Sequence, residues 1–276
     1  MEQYTAKNIL SFDECEEFVR SFCAENPFSD PKLSNVGEIT DDLRKAIEKK
    51  ENHSVIGICK DQKMVGLFSF LVLRDERYLE MLIGLFGDKK AYHMMLAYMK
   101  EHFAAYNADI VFNPNNHLLY DCLEEKGALF ETEQQTMIYH TAILGIDTSG
   151  VELLTEPYLP SYLAMHNTDL YWTGDKVTHA EDRFRTFVAI ESGSVVGYLD
   201  VTHCYEENEI CDLLVKEEYR RKGYGRKLLA KALELNRPNG MMLLVNIDNQ
   251  PAIRLYESLG FVKAENQNSL VAHLQL

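Results

Sequence analysis

Apolar residues along this chain recur in two patterns, and the same order of elements appears twice. Short apolar or alternating runs predict strands, and apolar residues at every third or fourth position predict helices. The first half begins with a short strand and two helices near 13–24 and 41–50. It continues as strands 54–60, 64–72 and 78–85, helix 89–103, strand 109–112, helix 117–126 and strands 127–130 and 135–141. The second half repeats this order, beginning with strand 151–156, helix 159–166 and strands 187–190, 195–201 and 209–215. It continues with a helix through 228–235, a strand in the run 241–247, a helix after Asn249, and strands 261–264 and 269–274.

The repetition indicates a duplicated unit. A Val-Gly pair at 65–66 recurs at 196–197, and an Asn and a Gly at 116 and 127 recur at 249 and 260, at nearly the same offset. Recurrence at one offset is the signature of a repeated structural unit. We therefore expect an α/β (α+β) fold with two copies of one unit, each a mixed central sheet flanked by helices. The predicted domains are residues 1–143 and 151–276, joined by the turn-rich linker 144–150.

Composition and charge restrict the classes of partner. The formal net charge is −15, and 46% of the residues are hydrophobic. This balance is typical of a globular chain, and the acidity argues against general binding to nucleic acid or to an anionic membrane, while it favours a cationic or amine substrate. The six cysteines show no paired spacing, and no signal peptide or long apolar run is present. We expect a soluble cytoplasmic protein, as a monomer or homodimer.

A glycine turn lies between the predicted strand 209–215 and the helix that follows it. Gly223 and Gly225 allow the backbone to turn and let a ligand approach the main chain. The unpaired N–H groups at a helix N-terminus then form an anion site. Basic residues are concentrated here, namely Lys216, Arg220, Arg221, Lys222, Arg226, Lys227 and Lys231. The predicted ligand is a phosphate or pyrophosphate.

The spacing around this turn distinguishes between phosphate-binding motifs. Leu228 stands where a dinucleotide fingerprint needs its third glycine, and the Walker motif is absent. The chain instead has Arg220-x-x-Gly223-x-Gly225, followed by N-Q-P-A-I-R-L-Y-E-S-L-G-F from Asn249. In this order and spacing, the two motifs resemble the GNAT superfamily of acetyl-CoA-dependent N-acetyltransferases over residues 187–276. The resemblance implies two tandem GNAT folds, with the second copy binding acetyl-CoA.

The resemblance also implies how acetyl-CoA would be held. Strand 209–215 would pair with the pantetheine arm, the turn would wrap the pyrophosphate mainly through backbone N–H groups, and the amide of Leu214 would polarise the thioester carbonyl. Asn249 would touch the coenzyme arm. The implied coenzyme contacts are Leu213, Leu214, Val215, Arg220, Arg221, Lys222, Gly223, Tyr224, Gly225, Arg226, Lys227, Asn249 and Tyr256.

Acetylation of an amine requires two proton transfers. An alkylammonium with a pKa near 10.4 costs roughly 4–5 kcal/mol to deprotonate at neutral pH. Glu209 lies at the spacing of the family's general base; Asp212, placed on the opposite face by strict alternation, and water are the alternatives. Tyr256 occupies the family's general-acid position, where it would protonate the departing thiolate. A core tyrosine and a solvated glutamate are the structural alternatives.

The acceptor would lie near the segment after helix 159–166. Tyr171, Trp172 and Asp175 are candidates to line a pocket for a cationic amine, with simple packing as the alternative. The histidines show no metal-ligand spacing, so no metal is expected. His203-Cys204 lacks a third group that would make it a nucleophilic pair.

The first copy differs where the coenzyme would bind. Opposite the glycine motif it has Gly87, Lys90 and Tyr92, and opposite Tyr256 it has Leu123. We therefore expect this degenerate copy to bind no coenzyme and to act as a folded partner domain that walls the substrate cleft. The functional prediction is acetyl transfer from acetyl-CoA to a primary amine of a small molecule or peptide by direct attack. The alternative is a non-catalytic acetyl-CoA-binding or regulatory module.

Overall fold

The structure, a computed structural model, describes residues 3–28, 30–139, 145–168 and 172–276. These residues divide into two compact units. The first unit comprises Met1–Glu133 and Glu265–Leu276, and the second comprises Gln134–Ala264. Within the described part of the chain, no helix is both long enough and apolar enough to cross a bilayer.

The helices and strands follow the predicted order, with two short helices, Pro31–Ser34 and Gly174–His179, that were not predicted from the sequence. The first part of the chain forms β1 (Tyr4–Asn8), α1 (Glu16–Glu25), α2 (Pro31–Ser34), α3 (Val36–Glu48), β2 (His53–Lys60), β3 (Lys63–Leu73), β4 (Tyr78–Phe86), α4 (Lys89–His102), β5 (Asn107–Phe112), α5 (His117–Glu124) and β6 (Leu129–Phe130). The remainder forms β7 (Gln134–Tyr139), β8 (Val151–Leu153), α6 (Leu159–Met165), α7 (Gly174–His179), β9 (Phe184–Glu191), β10 (Ser194–Thr202), β11 (Glu207–Val215), α8 (Tyr224–Asn236), β12 (Gly240–Asn246), α9 (Gln250–Glu257), β13 (Phe261–Lys263) and β14 (Leu270–Gln275).

Each unit is built on a seven-stranded mixed sheet. The first sheet has the order β1-β2-β3-β4-β5-β14-β6, and the second has the order β8-β9-β10-β11-β12-β7-β13. In each sheet the third strand is antiparallel to the fourth, and the fourth and fifth strands are parallel. The two orders match position for position when β14 corresponds to β7. The predicted fold class, with two mixed sheets flanked by helices, is confirmed.

The two sheets exchange their sixth strands. β7 follows β6 in the chain, yet it pairs with β12 and β13 in the second unit. β14 pairs with β5 and β6 in the first unit. The units therefore differ from the predicted boundaries 1–143 and 151–276, which assumed that each half closes its own sheet. An apolar alternation predicts a strand but does not specify which sheet edge the strand joins.

The second unit's main core lies between its sheet and α8. Leu228, Leu229, Ala232 and Leu233 form the buried stripe of α8 and pack against residues of β9–β12. A smaller cluster covers the opposite face of the sheet, where Tyr162 of α6 packs on β9 and β10. The two clusters make it possible to assign strand side chains to one face or the other.

Candidate functional site

The fourth and fifth strands of the second sheet separate partway along their length. β11 pairs with β12 from Glu207 to Ile210, opposite Gly240 to Leu243. Beyond that point β11 continues along β10, whereas β12 continues along β7. The last part of β11 therefore has a neighbour on one side only among the described residues, and its other edge borders a gap. An extended ligand can add to such an edge through main-chain hydrogen bonds.

Alternate residues of β11 present their main-chain groups to this gap. The carbonyl oxygen of Leu214 is directed at β10, because a Cβ added to Gly197 of β10 would lie only 2.8 Å from it. Lys216 donates its N–H to β10 at 2.9 Å. Because main-chain groups alternate in direction along a strand, Leu214 faces β10, while Leu213 and Val215 face the gap. The expectation that the Leu214 amide polarises a thioester in the gap is therefore wrong.

The turn before α8 presents a row of unpaired backbone N–H groups. Gly223 has φ +92 and Arg221 has φ +61, so both lie in the left-handed region. No side chain caps α8, and the N–H groups of residues 221–226 have no partner in the described part of the chain. Consecutive N–H groups that converge at a helix N-terminus form an anion site.

The basic side chains of the turn mostly have protein partners. Arg220 Nε donates to Val215 O at 3.0 Å, and Arg226 donates to Ser258 Oγ at 2.8 Å. Lys227 Nζ lies 2.7 Å from Asp147 Oδ2, and Lys222 Nζ lies 4.9 Å from the centre of the Tyr219 ring. The main chain is therefore the part of this turn that remains free to bind an anion.

Glycine at position 225 lets α8 lie close to the Leu255 side chain of α9. A Cβ there would lie 3.3 Å from Leu255 Cδ2, which is tighter than ordinary van der Waals contact. Tyr224, the first residue of α8, packs at the edge of the main core, with its ring centre 6.1 Å from that of Tyr219. Asn249 caps α9, because its Oδ1 accepts the N–H of Ala252 at 3.2 Å.

A β-bulge in β11 brings two carboxylates to one face of the sheet. Asp212 lies opposite Asp200 and Ile210 lies opposite Val201, so Cys211 has no partner in β10. Ile210 and Leu213 consequently pack in the same core although they are three residues apart. Glu209 and Asp212 therefore both point to the face of the sheet that α6 covers, called the α6 face below. The expectation that strict alternation places them on opposite faces is wrong.

Asp212 lies close to the end of the gap. Tyr198 donates its hydroxyl hydrogen to Asp212 Oδ2 at 2.6 Å, and His166 Nε2 lies 3.9 Å from the same oxygen. Burial raises the pKa of Asp212, although the Tyr198 hydrogen bond and the His166 charge oppose this. Tyr256 on α9 is 8% exposed. Burial and the charge of Asp212 raise the pKa of Tyr256 to about 12.

Glu209 and Tyr256 both have polar groups without partners. The Glu209 carboxylate is half-buried, and burial raises its pKa against the opposing charge of Arg183. Neither the Glu209 carboxylate nor the Tyr256 hydroxyl has a hydrogen-bond partner among residues that the structure describes. The Tyr256 ring packs edge-on against Phe261, with centroids 5.8 Å apart. Both groups therefore remain able to exchange protons with a ligand.

A buried network behind Asp212 was not predicted from the sequence. Asp200 is 1% exposed and accepts hydrogen bonds from Tyr162 at 3.0 Å, Thr186 at 2.5 Å and His166 Nε2 at 3.0 Å. His166 Nδ1 lies 2.9 Å from Asn167 O. Burial lowers the pKa of His166, but these hydrogen bonds and the two aspartate charges outweigh it and raise the pKa. The protonated imidazole satisfies both acceptors.

The same network contains a possible set of metal ligands. Ligand atoms of His166, Asp200 and Asp212 lie within 4.8 Å of one another, although no metal was expected from the spacing of the histidines. Each residue already has hydrogen bonds within the network. A cation would have to replace these bonds, so the arrangement fits a proton network better than a metal centre.

The three candidate acceptor residues have different surroundings. Tyr171 lies outside the described residues. Arg183 Cζ lies 4.7 Å from the centre of the Trp172 ring, so a protein cation occupies one face of that indole. Asp175 is at the start of α7 with its side chain 77% exposed, and its Oδ1 lies 3.8 Å from His179 Nδ1. The Trp172 ring packs against Phe184, the first residue of β9, with ring centroids 4.7 Å apart.

The first unit has a different structure at the corresponding turn. Asp88 caps α4, and its Oδ1 accepts the N–H of Ala91 at 2.8 Å, so a carboxylate lies where the second unit has open N–H groups. Tyr92, at the position of Gly225, is fully buried with its ring 5.6 Å from that of Phe86. Leu123, at the position of Tyr256, is also fully buried.

Comparisons with known proteins find similar sequences for the second unit. A family model described as "Acetyltransferase (GNAT) family" matches residues 150–261. The N-alpha-acetyltransferase of Saccharolobus solfataricus is 33% identical over 95 residues, which cover 29% of this chain and 57% of that protein. The ribosomal protein bS18-alanine N-acetyltransferase of Escherichia coli (strain K12) is 30% identical over 86 residues, covering 30% and 58%. The chain spans less than two thirds of the length of each of these relatives.

Solved structures resemble nearly the whole chain. A GCN5-related N-acetyltransferase from Sphaerobacter thermophilus has a TM-score of 0.70 at 12% identity, covering 99% of this chain and 95% of that one. A tandem GNAT protein from the clavulanic acid biosynthesis pathway has a TM-score of 0.60 at 12% identity, covering 99% and 98%. At these identities the similarity concerns the fold alone, which is two GNAT folds in tandem. The strand gap and the open turn both lie in the second unit, where residues 150–261 match the family model of the GNAT acetyltransferases.

Proposed function

We propose that the second unit is an acyltransferase that moves an acetyl group from acetyl-CoA to a primary amine by direct attack. The observation that carries this proposal is the row of unpaired N–H groups at the start of α8, next to the gap beside β11. An anion site and an open strand edge together fit a coenzyme that has a diphosphate and an extended amide-containing arm. The similar proteins described above, an N-alpha-acetyltransferase and a ribosomal protein bS18-alanine N-acetyltransferase, support an amine acceptor.

In this proposal the coenzyme lies along β11. Its diphosphate binds the N–H groups of residues 221–226. Its pantetheine arm pairs with the main chain of Leu213 and with the N–H of Val215, whose carbonyl already accepts a hydrogen bond from Arg220. The amide of Leu213 then takes the oxyanion role that the sequence assigned to Leu214. The acetyl group ends near Asp212 and Tyr256. The first unit, with its capped α4 and buried Tyr92, binds no coenzyme.

The two carboxylates on the α6 face have different roles in this mechanism. Glu209 is the proposed base, because its carboxylate has no partner and burial raises its affinity for a proton. Asp212 already accepts a hydrogen bond from Tyr198, so it would orient the ammonium group next to the thioester. The neutral amine attacks the thioester carbonyl, and the C–S bond breaks as Tyr256 donates a hydrogen bond to the departing thiolate. The proton that the attacking nitrogen loses passes to this thiolate, so the products are the amide and the CoA thiol.

Direct transfer also fits the protonation state of Cys211, which lies between Glu209 and Asp212 in β11. Cys211, at the bulge, is half-buried. Burial and the charges of Glu209 and Asp200 raise the pKa of its thiol to about 12. A thiol with this pKa carries almost no thiolate at neutral pH and is a poor nucleophile. The site therefore favours attack by the amine without an acyl-enzyme.

Calorimetry with acetyl-CoA and with CoA, followed by a turnover assay with a panel of amines, tests this function. Both ligands should bind the wild type, and Gly225→Val should weaken both because its side chain would crowd Leu255. Gly87→Val, in the first unit at a position with open space, is the matched control and should bind normally. Absence of binding in the wild type would refute the proposal. Binding without turnover of any amine would favour the non-catalytic module.

A further inference from the structure

Arg183 has a buried donor with no partner. Its backbone is fixed in the turn before β9, where its N–H donates to Ala180 O at 3.0 Å and its carbonyl accepts the N–H of His203 at 3.0 Å. The side-chain Nε is buried, and no acceptor lies within hydrogen-bond distance in the described part of the chain. An unsatisfied buried donor destabilises the folded state. A native structure rarely keeps such a group unless a ligand or water pairs with it.

Aromatic rings surround the Arg183 guanidinium without satisfying it. Its Cζ lies 4.7 Å from the ring centre of Trp172, 5.3 Å from that of Phe184 and 5.9 Å from that of Tyr205. Rings at these distances attract the cation through their faces, but they accept no hydrogen bond from the N–H groups that lie in the guanidinium plane. These N–H donors form a planar fork whose spacing matches the two oxygens of a carboxylate.

Arg183 is close to the proposed base. Its charge acts on Glu209 and on Cys211, yet it forms no ion pair with Glu209 among the described residues. Phe184, the next residue, lies opposite Thr202 in the sheet, and the Thr202 hydroxyl accepts the N–H of Glu209 at 2.8 Å. Phe184 shares the α6 face with Glu209 and Asp212, and the Arg183 guanidinium lies against the Phe184 ring. Two negative groups on this face are therefore followed by one positive group.

We propose that Arg183 binds a carboxylate of the acceptor, and that the acceptor is a small amino carboxylate rather than a simple amine. This inference rests on the proposed function, because it places the acceptor's ammonium group beside Glu209 and Asp212. A molecule with both charges matches this face from one end to the other. The chain has a net charge of −15, so an anionic group would be repelled without a dedicated cation.

Matched pairs of acceptors test the inference. Glycine, β-alanine and γ-aminobutyrate differ from their carboxamides only in the charged group. We expect the best-fitting acid to exceed its amide in kcat/KM by about 10- to 100-fold, the size of a charge-assisted hydrogen-bond pair. Arg183→Gln should reduce this ratio to near one. Arg185→Gln is the matched control. Arg185 lies opposite Val201, on the face of the sheet that packs against α8, so this variant should keep the wild-type ratio.

A binding measurement separates this inference from the proposed function. The same acids are titrated by calorimetry into the CoA complexes of the wild type, Arg183→Gln and Arg185→Gln. Binding that is lost only in Arg183→Gln supports the carboxylate site even if neither the acids nor any other amine is acetylated, an outcome that would reject the function alone. Acetylation of acids and amides at equal rates would support the function and overturn the inference, as would equal binding of the acids by all three proteins.

Discussion

Replacing Tyr256 with phenylalanine removes one hydroxyl group from the end of the gap and leaves the buried ring in place. Burial and the Asp212 charge raise the pKa of this tyrosine to about 12, whereas an ordinary thiol has a pKa of about 8.5. Complete proton transfer to a CoA thiolate would therefore cost about 5 kcal/mol. The hydroxyl would act instead by donating a hydrogen bond to the developing thiolate, which contributes about 1.5–3 kcal/mol.

We expect Tyr256→Phe to lower kcat about 10- to 100-fold, because a loss of about 1.4 kcal/mol is a factor of ten in rate. The assay is release of free CoA thiol with the best amine, and the KM for acetyl-CoA and the melting temperature are measured beside it. Both should change little, since the hydroxyl has no partner among the described residues. Tyr92→Phe is the matched control, a buried tyrosine in the first unit. A Tyr256→Phe enzyme with wild-type kcat would refute the assigned role.

The remaining predictions concern stability and coenzyme affinity. Tyr92→Phe should raise the melting temperature, because it removes a buried hydroxyl that has no partner in the described residues, a group that costs about 1–3 kcal/mol. Gly223→Ala and Gly193→Ala both place a side chain at positive φ in open space. Each should cost about 1–2 kcal/mol in thermal denaturation, but calorimetry should show weaker CoA binding for Gly223→Ala alone. The pKa of His166 is raised in the folded state, so its stabilising contribution is complete below its unfolded pKa of about 6.5 and is lost as pH rises through the folded value. Denaturant unfolding from about pH 6 to about pH 8 should therefore show the wild type losing stability relative to His166→Gln.

Local sequence patterns were sufficient to predict the strands, the longer helices and the turn, but not the short helices α2 and α7. Gly223 and Gly225 stand between an apolar strand and a helical stripe, and each of these features depends on neighbouring residues alone. The faces of β11 were harder to predict, because the bulge at Cys211 shifts the alternation and no residue type marks it. Without knowledge of the neighbouring strand, Leu214 and Leu213 were equally plausible as the residue facing the gap.

The buried network depends on contacts between distant parts of the chain. His166 ends α6 and Asp200 lies within β10, and nothing near either residue specifies the other. One signal was present, because Asp200 interrupts the apolar strand G-Y-L-D-V, and a carboxylate at a buried strand position requires hydrogen-bond donors. Arg183 gave no comparable signal, since an arginine in a polar turn is usually solvated.

The exchanged strands affect the order in which the chain can fold during synthesis. Domains ordinarily fold as units from the N-terminal side while the ribosome is still working. Here the first unit lacks the strand between β5 and β6 until Leu270–Gln275 has emerged, whereas the second unit has all seven of its strands once Lys263 has emerged. The unit that begins first must therefore be the last to close, and its open β5 edge would need protection from aggregation until then.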